Sequence, residues 1–162
     1  MIRTIICTTD VVVRDEAALR EYAVSLRGAH LSSAPLATVV LATVINPAEP
    51  PEECGFRILS STKAIRVANL RADAKFRLQV DVEVTCPDKL LMGAIGRYEA
   101  CWGDREWVPA YPADALFEIL IASNANPSPS DIGVELLGMV EDRRPAANDQ
   151  ASNNSCAVVA QH

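Results

Sequence analysis

Residues 75–84 (K-F-R-L-Q-V-D-V-E-V) constrain the fold of this chain more than any other segment. Every second residue from Phe76 to Val84 is apolar, and the residues between them are charged or carry an amide. Because successive side chains of a strand point to opposite faces, the pattern predicts a β-strand with one buried and one solvated face. A slip of one residue would expose the whole apolar row, so the register should be firmly set.

The N-terminal segment predicts a second strand followed by a helix. Residues 2–13 are rich in Ile, Val and Thr, and their apolar residues fall on both faces, which favours a central place in a sheet. Asp15 is a typical helix N-cap, and Gly28 is a typical C-terminal cap. Between them an apolar stripe recurs at helical spacing and predicts the buried face of the helix, with Leu19, Tyr22, Ala23 and Leu26 as its members.

Two later aspartates open similar patterns. Asp88 and Asp114 each precede apolar residues at helical spacing, so we predict two further helices there. Three carboxylates at the starts of three helices suggest either one shared site or three helix caps. We favour caps, because aspartate is among the best capping residues and capping requires no convergence.

The remaining segments are less regular. Residues 36–45 are β-branched and apolar, and Asn46-Pro47 follows them, so we predict a buried strand. Residues 56–70 fit a strand or a helix equally well, and we assign neither. Residues 132–140 predict a last strand, in which Gly133 and Gly138 indicate a bulge or close packing.

Together these elements predict one α+β domain over residues 1–142. We expect a two-layer sandwich, with helices on one face of a mostly antiparallel sheet, and a ferredoxin-like split βαβ arrangement is the nearest common topology. Residues 143–162 are polar and lack apolar periodicity, so we expect a disordered C-terminal tail.

Charge and hydropathy limit the classes of partner. The net charge is −6 and no basic patch interrupts it, so nucleic acid is not expected as a partner. No apolar run reaches the roughly 18 residues of a membrane span, so we expect a soluble protein with no membrane association. Five scattered cysteines without a secretion signal predict reduced thiols and a cytoplasmic location.

The sequence offers little for catalysis. The chain has two histidines, His30 and the terminal His162, so any triad would depend on His30 in a connector. Zinc, calcium, dinucleotide and P-loop spacings are missing, and we predict no metal, no cofactor and no catalytic residue.

Two surfaces are candidates for binding. One combines Trp102, Asp104 and Trp107 with a polar loop that contains Asn124 and Asn126. Tryptophan is enriched at interface hot spots, although both rings would also suit the edge of the core. The other candidate is the solvated face of residues 75–83.

The expected function is therefore a small non-catalytic interaction module. It would bind a protein partner or itself, in an accessory, inhibitor or immunity-like role. The alternative is a small-molecule-binding protein or minor enzyme whose pocket is assembled from residues far apart in the sequence.

Overall fold

A computed structural model describes residues 3–45, 47, 50–68, 73–104, 106–121 and 128–142 of the chain. The predicted tail at 143–162 therefore lies outside the described residues. In chain order the elements are β1 (Arg3–Val13), α1 (Glu16–Arg27), a short 3-10 helix (Ala29–Ser32), α2 (Leu36–Val44), β2 (Phe56–Ile58), β3 (Lys63–Val67), β4 (Ala74–Val84), α3 (Pro87–Trp102), α4 (Pro112–Leu120) and β5 (Val134–Asp142).

The five strands form one antiparallel sheet in the order β2-β4-β1-β5, and β3 pairs with β4 along the same side as β2. The two segments with the clearest strand patterns are thus its central pair. The helices contribute to one core against the sheet, and the predicted α+β sandwich is confirmed. On the side away from β1, β4 pairs with two short strands, β2 and β3. The ferredoxin-like topology is therefore not confirmed and stays a prediction.

The alternating segment builds the centre of the core. Phe76, Leu78, Val80, Val82 and Val84 are all buried, as the alternation predicts. β1 and β4 pair without interruption over their full length, so the apolar residues of β4 lie beside those of β1, for example Val80 beside Cys7. The firm register predicted from the apolar row is thus present along the whole pair.

The strand predicted at residues 36–45 is wrong, because this segment forms helix α2. Val39, Val40, Thr43 and Val44 are buried, at the three- and four-residue spacing of a helix face. The Thr43 hydroxyl donates a hydrogen bond to the Val39 carbonyl at 2.8 Å, so the one polar group on this face is satisfied. A mostly apolar run without charged residues cannot distinguish a buried strand from a buried helix by its period, and packing overrode the β-propensity of valine.

Gly133 and Gly138 have the two roles predicted for the glycines of the last strand, close packing and a bulge. Gly138 is the extra residue of a β-bulge, since Thr9 pairs with Met139 and Asp10 pairs with Leu137. Gly133 has a φ of 81°, and an added Cβ would lie 2.5 Å from the Asp15 carbonyl oxygen. Gly133 is therefore a site of both positive φ and close backbone approach.

The three predicted helix-opening aspartates all lie at helix N-termini, in different roles. Asp15 is the N-cap of α1 and accepts from the Ala18 backbone N–H at 3.0 Å. Asp114 lies inside the first turn of α4 and accepts from the Tyr111 backbone N–H at 3.0 Å. Asp88 also lies in the first turn, while Cys86 occupies the N-cap position of α3. These positions support the capping interpretation.

Among the described cysteines, Cys86 differs from the prediction. Cys7 is a buried free thiol and Cys101 is an exposed one, Cys54 is buried, and Cys86 is disulfide-bonded. The prediction of reduced thiols is therefore wrong for Cys86. Within the described ranges, no helix has the length and apolar character needed to cross a membrane.

A valine-to-aspartate substitution should have a large effect on stability on the buried face of the sheet and a small one on the exposed face. Val80→Asp would bury an unpaired carboxylate and should lower the free energy of unfolding by about 3–5 kcal/mol. Val140→Asp is the matched control, because Val140 is 66% exposed, and it should cost no more than about 0.5 kcal/mol. Chemical denaturation measures both, and equal losses would contradict the assignment of the buried face.

Candidate binding surface

Helix α3 and the connector that follows it lie side by side. The helix ends at Trp102, and Gly103, with a φ of 71°, occupies the left-handed cap position that turns the chain. The connector then returns along the helix, because Tyr111 at its end lines the same cavity as Pro87 and Leu91 near the start of α3. Helix α4 thus begins beside the beginning of α3.

Aromatic rings join the connector to the helix. The rings of Tyr98 and Trp107 are stacked, with centroids 4.2 Å apart and an interplanar angle of 13°. The Trp102 ring lies 6.0 Å from that of Tyr98, at a tilt of 39°. Leu91, Tyr98 and Trp102 are seven and four residues apart and so share one helix face. We call Leu91, Tyr98, Trp102, Trp107 and Tyr111 the aromatic strip.

The members of the strip differ in exposure. Trp107 is half-buried and packs against the core, while Trp102 is 56% exposed and Tyr111 is 55% exposed. Stacking of the kind seen between Tyr98 and Trp107 contributes about 0.5–1.5 kcal/mol beyond burial. Trp107 and Tyr98 therefore form a fixed base, and Trp102 presents its ring to solvent beside it.

A cavity of about 220 Å³ lies at the Tyr111 end of the strip. Its walls are mainly apolar and come from strands β1 and β4 and helices α3 and α4, including Ile5, Val84, Leu90 and Ala115. A dry apolar cavity of about 150 Å³ is large enough for benzene, so this end cavity is large enough for one bulky apolar group.

The structure brings together part of the predicted site. Trp102 and Trp107 flank Tyr98, and Asp104 is exposed in the connector, where its Oδ1 accepts from the Glu106 backbone N–H at 2.9 Å. Asn124 and Asn126 lie outside the described residues. The alternative that both tryptophans cover the core edge fits Trp107 alone.

Sequence reasoning missed Tyr98, Tyr111 and the end cavity. The spacing of Leu91, Tyr98 and Trp102 was the available indication that Tyr98 shares the face of Trp102. No comparable local pattern indicates the cavity, because it depends on the path by which the connector returns to Pro87.

The outer face of the sheet, the second predicted surface, is less open than its alternation suggested. Asp81 is buried rather than solvated, and its carboxylate accepts from Gln79 Nε2 at 3.0 Å. Arg77 donates to Asp10 on β1 at 2.9 Å rather than pairing within β4. This hydrogen bond is the main reason that the pKa of Asp10 lies below its ordinary value.

Glu83 pairs with Arg57 across β2 and β4. The ionic partners on this face thus lie on neighbouring strands, which the pattern of a single strand cannot show.

Among the described residues, the nucleophilic side chains and the side chains that could ligate a metal do not form a recognisable centre. Burial, followed by the charges of Glu141 and Asp81, raises the pKa of the Cys7 thiol to about 12, so the reactive thiolate is disfavoured. His30 is exposed on the short 3-10 helix. Over the part of the chain that the structure describes, no group of three His, Cys, Asp or Glu side chains could hold a metal ion.

Comparison of the chain with protein-family models, curated proteins and solved structures finds no match. The candidate surface therefore rests on the geometry of the aromatic strip and the end cavity.

One buried carboxyl group lies near the interface of α3 and α4. Burial raises the pKa of Glu118 above its ordinary value, and the nearby Arg97 guanidinium opposes the shift. Since the folded-state pKa is the higher one, the contribution of Glu118 to stability is greatest at acid pH and is lost as the pH rises through that pKa.

Glu118→Gln removes the ionisation and should raise the melting temperature near neutral pH, with a smaller difference at acid pH. Thermal unfolding across this range provides the measurement. Glu21→Gln, at an exposed position of α1, is the control and should show no such pH-dependent gain. A lower melting temperature for Glu118→Gln at neutral pH would mean that attraction to Arg97 outweighs the cost of burial.

Proposed function

We propose that this chain is a non-catalytic protein-binding module and that the aromatic strip is its contact surface. The observation that carries the proposal is the exposed Trp102 ring beside Tyr98, whose ring stacks on Trp107, and Trp107 packs on the core. Tryptophan and tyrosine are enriched at interface hot spots, and rigid rings lose little conformational entropy when a partner binds.

The exposed ring area is large enough to matter energetically. A tryptophan side chain buries about 150–250 Å² when fully covered, and 56% of Trp102 is accessible. At about 25 cal/mol per Å², covering that remainder contributes about 2–3.5 kcal/mol. Trp102 alone therefore reaches the range of an interface hot spot.

A second candidate function is binding of a small apolar molecule in the end cavity. The cavity of about 220 Å³ has mainly apolar walls, drawn from elements far apart in the sequence. Ligand sites are typically concave and apolar with a few polar groups, but most are larger than this cavity. We therefore rank this function second.

A cytoplasmic location belongs to the same proposal. The disulfide at Cys86 is the observation that weighs against it, because cytosolic thiols are normally kept reduced.

Substitution of Trp102 tests the proposed function. A pull-down with the wild-type chain, followed by native mass measurement, identifies a stoichiometric partner, which includes a second copy of the chain. Trp102→Ala should then weaken binding by about 2 kcal/mol or more, with little change in stability, because the ring is largely exposed. Trp107 is unsuitable for this purpose, since removing a half-buried ring also perturbs the fold.

Ile65→Ala is the control. Ile65 is a 45% exposed apolar residue of β3, outside the strip, and its truncation should leave the affinity unchanged. Equal affinities for both variants would contradict the proposal. A small apolar molecule that co-purifies in place of a protein partner would favour the second candidate function.

A further inference from the structure

We propose that the chain self-associates through the outer face of its sheet. Two copies would pack face to face about a twofold axis that runs along the strands, between β1 and β4. This surface is separate from the aromatic strip, and the inference does not depend on the proposed function.

Strand pairing aligns the outer residues of four strands in lateral rows. Residues that lie opposite each other on paired strands share one face of a sheet. The central row crosses the sheet in the order β3-β4-β1-β5 and consists of Ile65, Arg77, Asp10 and Leu137. The two flanking rows are Val67, Lys75, Val12 and Glu135 on one side, and Lys63, Gln79, Thr8 and Val140 on the other. We call these three rows the outer patch.

The central row has the same order of apolar and charged residues from either edge. Its ends are apolar and accessible, since Ile65 is 45% exposed and Leu137 is 43% exposed. Between them, Arg77 donates to Asp10 at 2.9 Å, and the Arg77 side chain remains 53% exposed. The twofold axis would place Ile65 over Leu137 of the second copy. It would also place Arg77 over the second copy's Asp10, which gives the reciprocal contacts of an isologous interface.

The charges of the outer patch are divided between its two halves. Strands β3 and β4 contribute Lys63, Lys75 and Arg77, whereas β1 and β5 contribute Asp10 and Glu135. The twofold axis lays the cationic half of each copy over the anionic half of the other. A partner of a single charge sign would be attracted by one half and repelled by the other, so a second copy matches the patch better.

Net charge also favours this face for contact between copies. The whole chain carries −6, whereas the three rows contain three cations and two carboxylates. Arg14 adds a further cation beside the patch, where its Nε donates to Glu135 at 3.0 Å. Two copies therefore meet with less electrostatic repulsion here than the net charge of the chain would impose.

Apolar contact supplies most of the expected affinity. Arg77 and Asp10 already pair within one copy, so pairing between copies fixes the orientation more than it adds attraction. Ile65, Leu137 and Val140 are the exposed apolar residues that become covered. Three rows are smaller than a standard interface, so the association should be weak and dependent on concentration.

Sedimentation equilibrium of the purified full-length chain, at concentrations up to about 1 mM, measures this association. Leu137→Asp should weaken it at least about tenfold, because a carboxylate would then face Ile65 of the second copy. Met92→Asp is the matched control. Met92 is also an exposed apolar residue, but it lies on α3 in the helical layer, so its substitution should leave the association unchanged. Thermal unfolding checks that both variants remain folded.

Charge reversal tests the arrangement about the axis. Asp10→Arg would bring two cations together across the axis, and Arg77→Glu would bring two carboxylates together. Each variant alone should therefore self-associate at least about tenfold more weakly than the wild type. A mixture of the two variants has opposite charges at both contacts and should associate at least about tenfold more tightly than either variant alone. Loss of stability within one copy cannot produce this gain.

The results separate this inference from the proposed function. A chain that stays monomeric over the whole concentration range, or equal association of Leu137→Asp and the wild type, would overturn self-association through this face. A mixture no tighter than its components would overturn the twofold arrangement. Loss of association in Trp102→Ala but not in Leu137→Asp would overturn the inference and assign self-association to the aromatic strip. Because Ile65 belongs to the outer patch, Ile65→Ala is the control for the strip with a partner other than a second copy.

Discussion

The uninterrupted antiparallel pairing of β1 with β4 is the contact on which the rest of this structure depends. Arg3 pairs with Val84 at one end of the pair and Val13 pairs with Ala74 at the other. Apolar rows of both strands then share one face, and the helices cover it. A one-residue shift of either strand would turn its apolar row to solvent, so the register and the core stabilise each other.

That pairing also places the candidate surface. Helix α3 begins just after β4 ends, next to the first residues of β1, and the connector brings α4 to the same end of the sheet. The end cavity lies where these elements meet. Stacking of Trp107 on Tyr98 then holds the connector against α3 and leaves the Trp102 ring largely outside the core.

Sequence patterns predicted the fold best where the spacing of apolar residues fitted a strand or a helix but not both. The alternation of residues 75–84 fits only a strand, and the Asp15 to Gly28 segment has both a cap and a helical stripe. The prediction for residues 36–45 was wrong because the segment has no charged residue, and its two threonines do not mark a solvent-facing side from which a period could be read. The prediction that Asp81 faces solvent was wrong, because its burial depends on neighbouring elements that the pattern of one strand does not include.

The candidate surface was predictable only in part, for the same physical reason. Tryptophans attract attention in any sequence, and Trp102 and Trp107 do lie close together. Which of the two rings is buried depends on the connector returning along α3, and the composition of the connector does not indicate that path. Tyr98 and Tyr111 acquire their place in the strip from the same return.

Iodide quenching of the two tryptophans separately tests the central claim, a fixed aromatic base that presents an exposed ring. Trp107→Phe leaves Trp102 as the fluorophore, and Trp102→Phe leaves Trp107. The account predicts that Trp102 emits near free indole and is readily quenched, while Trp107 emits at shorter wavelength and is shielded. Two shielded rings would contradict it, because the strip would then have no exposed tryptophan to offer a partner.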